Sequence, residues 1–245
     1  MYDEPKTSRI ARLAAVLGTG SLLALAAAGP LHHLGLVGLT GAFGILKYGA
    51  FGALATLPLA IGGLVVAARR RASASAATYA LFLSLATIAS IGALAWKASR
   101  VPAIHDVTTD TIQPPPFLAI LPLRAGAPNP ADYGGAGVSA KQRAAYPDIG
   151  PALVALAPER AFDRALAAAR AMGWDIAASD LATLRIEATD TTFWFGFKDD
   201  IVIRVTPQPT GSRIDLRSLS RVGVGDLGAN AARVRAFLSA VIKAS

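Results

Sequence analysis

Residues 184–217 read LRIEATDTTFWFGFKDDIVIRVTPQPTGSRIDLR, and a period of two within them decides the fold of the C-terminal half. Leu184, Ile186 and Ala188 alternate with Arg185, Glu187 and Thr189, and Phe193, Phe195 and Phe197 alternate with Trp194, Gly196 and Lys198. Ile201, Ile203 and Val205 alternate with Val202, Arg204 and Thr206, and Ile214 and Leu216 with Arg213, Asp215 and Arg217. Successive side chains of a strand point to opposite faces, so each run predicts a strand with one face buried. Asp190-Thr191-Thr192 and Pro209-Thr210-Gly211 supply hairpin turns, and Trp174–Ser179 reads as a further, weaker strand.

Helices flank these strands. Pro158 suits a first helical position, and Phe162, Leu166 and Ala169 recur on one face until Gly173 ends the pattern. Asp226 is a good N-cap for a last helix whose stripe is Val234, Phe237, Leu238, Val241 and Ile242. The order helix, four or five strands, helix predicts an α+β core over residues 158–245: an antiparallel sheet with two helices on one face. Residues 101–157 are rich in turn formers (Pro114-Pro115-Pro116, Ala127-Pro128-Asn129-Pro130, Tyr133-Gly134-Gly135), which predicts an extended strap lying over a surface.

The first hundred residues are of another kind. A helix crossing hydrocarbon needs about 20 mostly apolar residues, at ~1.5 Å rise across ~30 Å. Leu13–Pro30, Gly49–Ala68 (with a kink expected at Pro58) and Ala77–Trp96 meet that requirement, so residues 1–100 read as a transmembrane anchor. Between the first two spans, Leu31–Lys47 is apolar but Gly-rich and reads as an interfacial or re-entrant piece. His32 and His33 at its start are neighbours on the chain and cannot both face one metal or haem site on a helix, so they read as an interfacial pair.

The net charge of +8 separates along the same boundary. Residues 1–100 hold nine Lys/Arg and two Asp/Glu, a net of +7; residues 101–245 hold fifteen and fourteen, a net of +1. The basic excess therefore sets topology and does not mark a nucleic-acid surface. Lys6, Arg9, Arg12, Arg69, Arg70 and Arg71 fall on one side of three crossings, against Lys47, Lys97 and Arg100 on the other. The positive-inside rule places the six in the cytoplasm and residue 101 onward in the periplasm of a bacterial inner membrane. Arg9, Arg12 and Ala26-Ala27-Ala28 also resemble a signal peptide with a cleavage site; cleavage leaves two spans and the domain on the same side. The absence of cysteine removes disulfides, thiolate nucleophiles, iron–sulfur clusters and Cys-based zinc sites.

Three blocks of residues carry a family resemblance. They are Ile104-His105-Asp106-Val107-Thr108-Thr109-Asp110 before the proline run, Tyr146-Pro147-Asp148-Ile149, and the stretch from Ile186 through Phe197-Lys198-Asp199-Asp200 to Ser220-Arg221-Val222-Gly223 with Asp226-Leu227-Gly228-Ala229-Asn230-Ala231. In that order, over about residues 101–243, they resemble the bacterial and plastid family catalogued as domain of unknown function 1499. The resemblance implies a fold and assigns no catalytic roles.

Two groups of residues are candidates for chemistry. Glu187, Arg204, Arg217 and Arg221 with Asp199, Asp200 and Asp226 suit an anionic-ligand site, since arginine forms bidentate contacts to carboxylate or phosphate. The competing reading is a salt-bridge and capping network on the outer sheet face. His105, Asp106, Asp110 and Asp148 are acid–base or ligand types; the competing reading is that His105 and Asp110 hydrogen-bond the strap to the domain. Trp194 reads either as the cap of a pocket or as packing under the strap. Ser218 and Ser220 have no nearby histidine in sequence, and Gly223-Val224-Gly225-Asp226 lacks the βαβ setting of a phosphate loop. No Walker, dinucleotide, HExxH or GxSxG pattern occurs, and neither metal nor cofactor is expected.

These observations favour a membrane-anchored, non-catalytic module that binds or assembles with a membrane complex, a lipid or an envelope component. The bilayer is its expected partner, with subunits of a larger complex as candidates and nucleic acid excluded. The alternative is an envelope hydrolase using a His/Asp or Arg/Asp cluster.

Overall fold

The structure, a computed structural model, describes residues 7–243. Lys6, one of the basic residues that sequence assigns to the cytoplasm, and the last two residues of the predicted core lie outside them. The described residues form two compact units, one holding residues 7–97 together with Phe193–Gly196, the other the rest of them.

The first unit contains α1 (Arg9–His33), α2 (Leu39–Arg70) and α3 (Ser75–Ala98), all long and apolar enough to cross a membrane. Their packing is inverted relative to a water-soluble bundle. Ala11, Ala14, Ala53, Ala60, Ala77 and Ala80 are buried between the helices, while Leu13, Leu23, Phe51, Ile61, Phe82 and Leu85 point outward. Small residues allow close backbone approach where lipid removes the hydrophobic drive between helices. Ser84 adds an interhelical bond, its hydroxyl donating to the Ala53 carbonyl at 2.6 Å.

The segment read as interfacial resolves differently. Leu31–His33 close α1, and Leu39–Lys47 are the opening turns of α2, which runs on unbroken past Pro58. Glycine lowers helix propensity by only about 1 kcal/mol, which a continuous apolar environment overrides.

The second unit is an α+β sandwich. After β1 (Asp106–Thr108), a 3-10 turn (Leu121–Arg124), α4 (Gly135–Ala145) and β2 (Ala152–Val154) come α5 (Pro158–Ala171), β3 (Asp175–Asp180), β4 (Arg185–Thr191), β5 (Lys198–Gln208), β6 (Gly211–Ser220) and α6 (Ala229–Lys243). The antiparallel sheet runs β1-β6-β5-β4-β3, with β2 also pairing along β6. It has six strands, against four or five from sequence. The additional pairs, β1 and β2, come from the stretch read as strap and are three residues long, too short to display alternation.

Register fixes the two faces. Ile186↔Ile203, Ile203↔Leu216 and Val205↔Ile214 put the apolar set on one side, where it packs under α5 and α6 with Phe162, Val234 and Phe237. Trp174 stacks on Phe237 at 5.7 Å. The opposite face carries Glu187, Thr189, Asp200, Val202, Arg204, Asp215, Arg217 and Leu219, and Phe117 and Ile120 pack on Val202 and Leu219.

One predicted strand is absent. The run Phe193 to Phe197 is a turn, closed by the Thr192 N–H donating to the Phe197 carbonyl at 2.8 Å, with Gly196 at φ +69°. β4 instead extends through the expected turn residues Asp190 and Thr191, which pair with Asp199 and Lys198. Alternation of Phe with Trp and Gly mimics a strand, but a left-handed glycine breaks the ladder.

Candidate functional site

The polar sheet face is built around buried carboxylates, each satisfied by arginine or backbone donors. Arg217 Nε and Nη2 donate to the two oxygens of Asp106 at 3.0 and 2.8 Å. The same guanidinium reaches the Pro115 carbonyl at 3.4 Å and the Ala131 carbonyl at 2.8 Å, and lies over the rings of Phe117 and Tyr133 at 4.9 and 5.4 Å. Burial pushes the Asp106 carboxyl up from its ordinary value, opposed by Arg217. Burial, with the Asp106 charge, pushes the Tyr133 phenol up to about 12.

Asp200, fully buried, accepts from Arg221 Nη2 at 2.8 Å and Nε at 2.9 Å, from the Thr189 hydroxyl at 2.8 Å, and from Arg124. Arg221 and Arg124 continue into the strap, donating to the carbonyls of Leu123 and Asn129. Glu187 accepts from the backbone N–H groups of Leu118 and Ile120, both at 2.9 Å, and from Arg185 Nε at 2.7 Å. Arg204 bridges Asp110 and Asp215 at 3.1 and 3.0 Å, and Arg213 makes the same bridge. Burial raises the Asp110 carboxyl, but the N–H groups of Gln113 and Ile112 and the charges of Arg213 and Arg204 outweigh it, leaving a net lowering.

A second polar cluster sits on the helix side. Arg233 of α6 donates to Asp199 and Asp190, both at 2.7 Å, and to the Ser218 hydroxyl at 3.0 Å. Asn230 accepts from the Ser218 hydroxyl at 2.6 Å and donates to the Ser220 hydroxyl at 2.9 Å and the His105 carbonyl at 3.1 Å. Burial raises the Asp199 carboxyl against the opposing pull of Arg233.

The residues singled out from sequence therefore divide. Glu187 and Arg204, Arg217, Arg221 and Asp200 share one face with Asp106 and Asp110. Asp199 belongs to the helix-side cluster, and Asp226 caps α6, accepting from the N–H groups of Gly228 and Asn230 at 2.8 Å. Asp148 forms an exposed pair with Arg235 at 2.6 and 2.7 Å, which lowers its carboxyl. The His105 ring meets the Val224 carbonyl at 3.3 Å. His105, Asp106, Asp110 and Asp148 thus have different partners, and the described residues contain no group of three metal-ligating side chains. Trp194 lies in the Phe193–Gly196 turn, within the helical unit, and is not part of the charged face.

Arg124, Arg213, Asp215, Asn230 and Arg233 join these networks without being among the candidates from sequence. Asn230 and Arg233 do leave a signal: they lie in phase with the apolar stripe Val234, Phe237 and Val241 and so had to be buried. Arg124 lies in an irregular stretch, where no periodicity reports burial. An open cavity of about 300 Å³ borders the network, lined by Leu123, Asp175, Ile176, Thr189, Lys198 and Arg221.

Fold and network together define a class: an α+β sandwich whose polar sheet face is closed by its own strap, carried on a chain with three membrane-capable helices. The chain belongs to the family described as "Protein of unknown function (DUF1499)", which matches residues 106–241. No curated protein matches the sequence significantly.

Proposed function

We propose that this chain is a bacterial inner-membrane protein that presents a non-catalytic binding or assembly domain in the periplasm, to a membrane complex, a lipid or an envelope component. The observation that carries this reading is the commitment of the charged sheet face to the strap. Glu187, Arg217, Arg221 and Arg124 all bond backbone groups of residues 115–131, and Asp106 and Asp200 are consumed by arginines. A carboxylate held by two to four donors has little freedom to act as base or nucleophile. The same arrangement leaves the outer side of the strap apolar: Ile112, Leu118 and Leu123 are exposed. Exposed apolar area over a rigid support suits a contact surface.

The test is affinity purification of the full chain from native membranes in mild detergent. A stoichiometric co-purifying component supports an assembly role, and Leu118→Asp/Leu123→Asp should release it. A monodisperse lone protein counts against that role.

A further inference from the structure

Pro30 lies inside α1 and has no N–H, so the Ala26 carbonyl four residues earlier receives no helical donor from that position. Within or beside hydrocarbon such a carbonyl is costly, because no water replaces the missing donor. The indole Nε1 of Trp194 donates to the Ala26 carbonyl at 3.2 Å. Gly29 makes the approach possible: a Cβ at that position would lie 2.8 Å from indole Cδ2, nearer than real side chains come. The rest of the turn is held by the same helix ends. His33 Nδ1 lies 2.9 Å from the Phe193 carbonyl, and Phe195, buried, stacks on Phe43 at 5.9 Å and meets the Trp194 ring edge-on at 5.1 Å. Phe193, by contrast, is 94% exposed. Leu34, Leu36 and Phe43, at the adjoining ends of α1 and α2, are exposed as well.

We propose that the Phe193–Gly196 turn is a membrane-interface element. Phe193 enters the headgroup–acyl boundary of the bilayer, and Trp194 supplies the hydrogen bond that Pro30 removes. The occupant is lipid, because the turn belongs to the same compact unit as the three apolar helices and is held against the ends of α1 and α2, whose large apolar side chains are exposed like Phe193. Tryptophan favours this depth, where its ring is buried and the indole N–H still finds an acceptor, and phenylalanine supplies the apolar side of interfacial segments. The proposal rests on reading α1–α3 as membrane spans.

The chain has no cysteine, so single-cysteine variants of the full protein accept one nitroxide label each. Phe193→Cys, Phe82→Cys on α3 and Leu153→Cys on β2 are reconstituted in phosphatidylcholine/phosphatidylglycerol vesicles, and collisions with oxygen and with a water-soluble nickel chelate are compared. The label at 193 should favour oxygen several-fold over the label at 153. If 193 is as open to nickel as 153 while 82 remains oxygen-favoured, the interface proposal is wrong. If 82 is also open to nickel, the membrane reading fails and the proposal falls with it. A second measurement isolates the hydrogen bond. Trp194→Phe keeps an aromatic ring, though a smaller one, and removes the donor, so it should lower the thermal midpoint in the natural background and lower it less beside Pro30→Ala, where the helix has its own N–H and only the packing loss is left. Equal losses in the two backgrounds would overturn the donor role.

Discussion

Asp106 of β1 and Arg217 of β6 meet through two parallel hydrogen bonds of 3.0 and 2.8 Å at 3% and 2% side-chain exposure. Removing one partner of such a pair leaves an uncompensated buried charge, which costs roughly 3–5 kcal/mol. Arg217→Ala should show that loss in urea unfolding followed by fluorescence, and Asp106→Leu/Arg217→Met should recover most of it. The deficit also has a pH dependence. The folded Asp106 carboxyl is raised by burial, and more so without Arg217, so its cost is absent below the unfolded value near 3.8 and grows as pH rises through the folded value. A deficit in Arg217→Ala that is flat from pH 4 to 7 sinks this account.

Asp110 predicts the opposite trend. Its carboxyl is lowered on balance by backbone N–H groups and two arginines, so its contribution is present above the unfolded value near 3.8 and lost as pH falls through the depressed one. Asp110→Asn keeps an acceptor for the Ile112 and Gln113 N–H groups but loses the charge facing Arg204 and Arg213. The variant should be about 1–2 kcal/mol less stable at pH 7 and lose less on acidification than the natural chain.

Glu187 fastens the strap to the sheet centre, holding the Leu118 and Ile120 N–H groups and Arg185. Glu187→Gln turns one accepting oxygen into a donor that faces other donors. Hydrogen exchange at Leu118 and Ile120 should accelerate by one to two orders of magnitude, which corresponds to about 1.5–3 kcal/mol. Exchange in β5 should be unchanged, and faster exchange there as well would mean the whole sheet had loosened.

The sheet and its helices were legible because β5 and β6 are ten residues or longer and α5 and α6 carry full stripes. Periodicity reports burial only over such lengths, so β1 and β2, at three residues each, were silent. The alternating polar positions identified the second face but not its partners. Whether Arg217 meets a ligand or Asp106 depends on a contact across 111 positions of chain. The Phe193–Phe197 run has the same ambiguity: only Phe195 of its three phenylalanines packs within the helical unit while Phe193 is exposed, and a period of two does not tell a turn from a strand.

Gly211 closes the β5–β6 hairpin at φ +143°, and a Cβ there would collide with the Val154 carbonyl of β2. Gly211→Ala therefore combines backbone strain with separation of an edge strand, at a cost of about 1–3 kcal/mol. Exchange should rise first at Ala152 and Val154, whose strand pairs with Ser212–Ile214. A variant as stable as the natural protein, with β2 protected, would show that the turn relaxes freely.

Topology is carried by few charges, and that makes it testable. Arg69 and Arg70 end α2, and Arg71 follows them at φ 48° in the link to α3. If all three helices cross, Arg69, Arg70 and Arg71 fall with Lys6, Arg9 and Arg12 as six basic residues on one side, against Lys47, Lys97 and Arg100 on the other. Lysine and arginine in short loops resist translocation, so a cysteine at Ser73 should react with a membrane-impermeant maleimide only after the inner membrane is opened. A cysteine at Ser179, exposed on β3, should react in intact cells whose outer membrane passes the reagent. Replacing Arg69, Arg70 and Arg71 with alanine leaves three basic residues on each side, and labelling at both positions should then become mixed. Protection of Ser179→Cys in the natural background would instead place the sandwich in the cytoplasm, and the periplasmic role would have to be abandoned even if every buried ion pair behaved as argued.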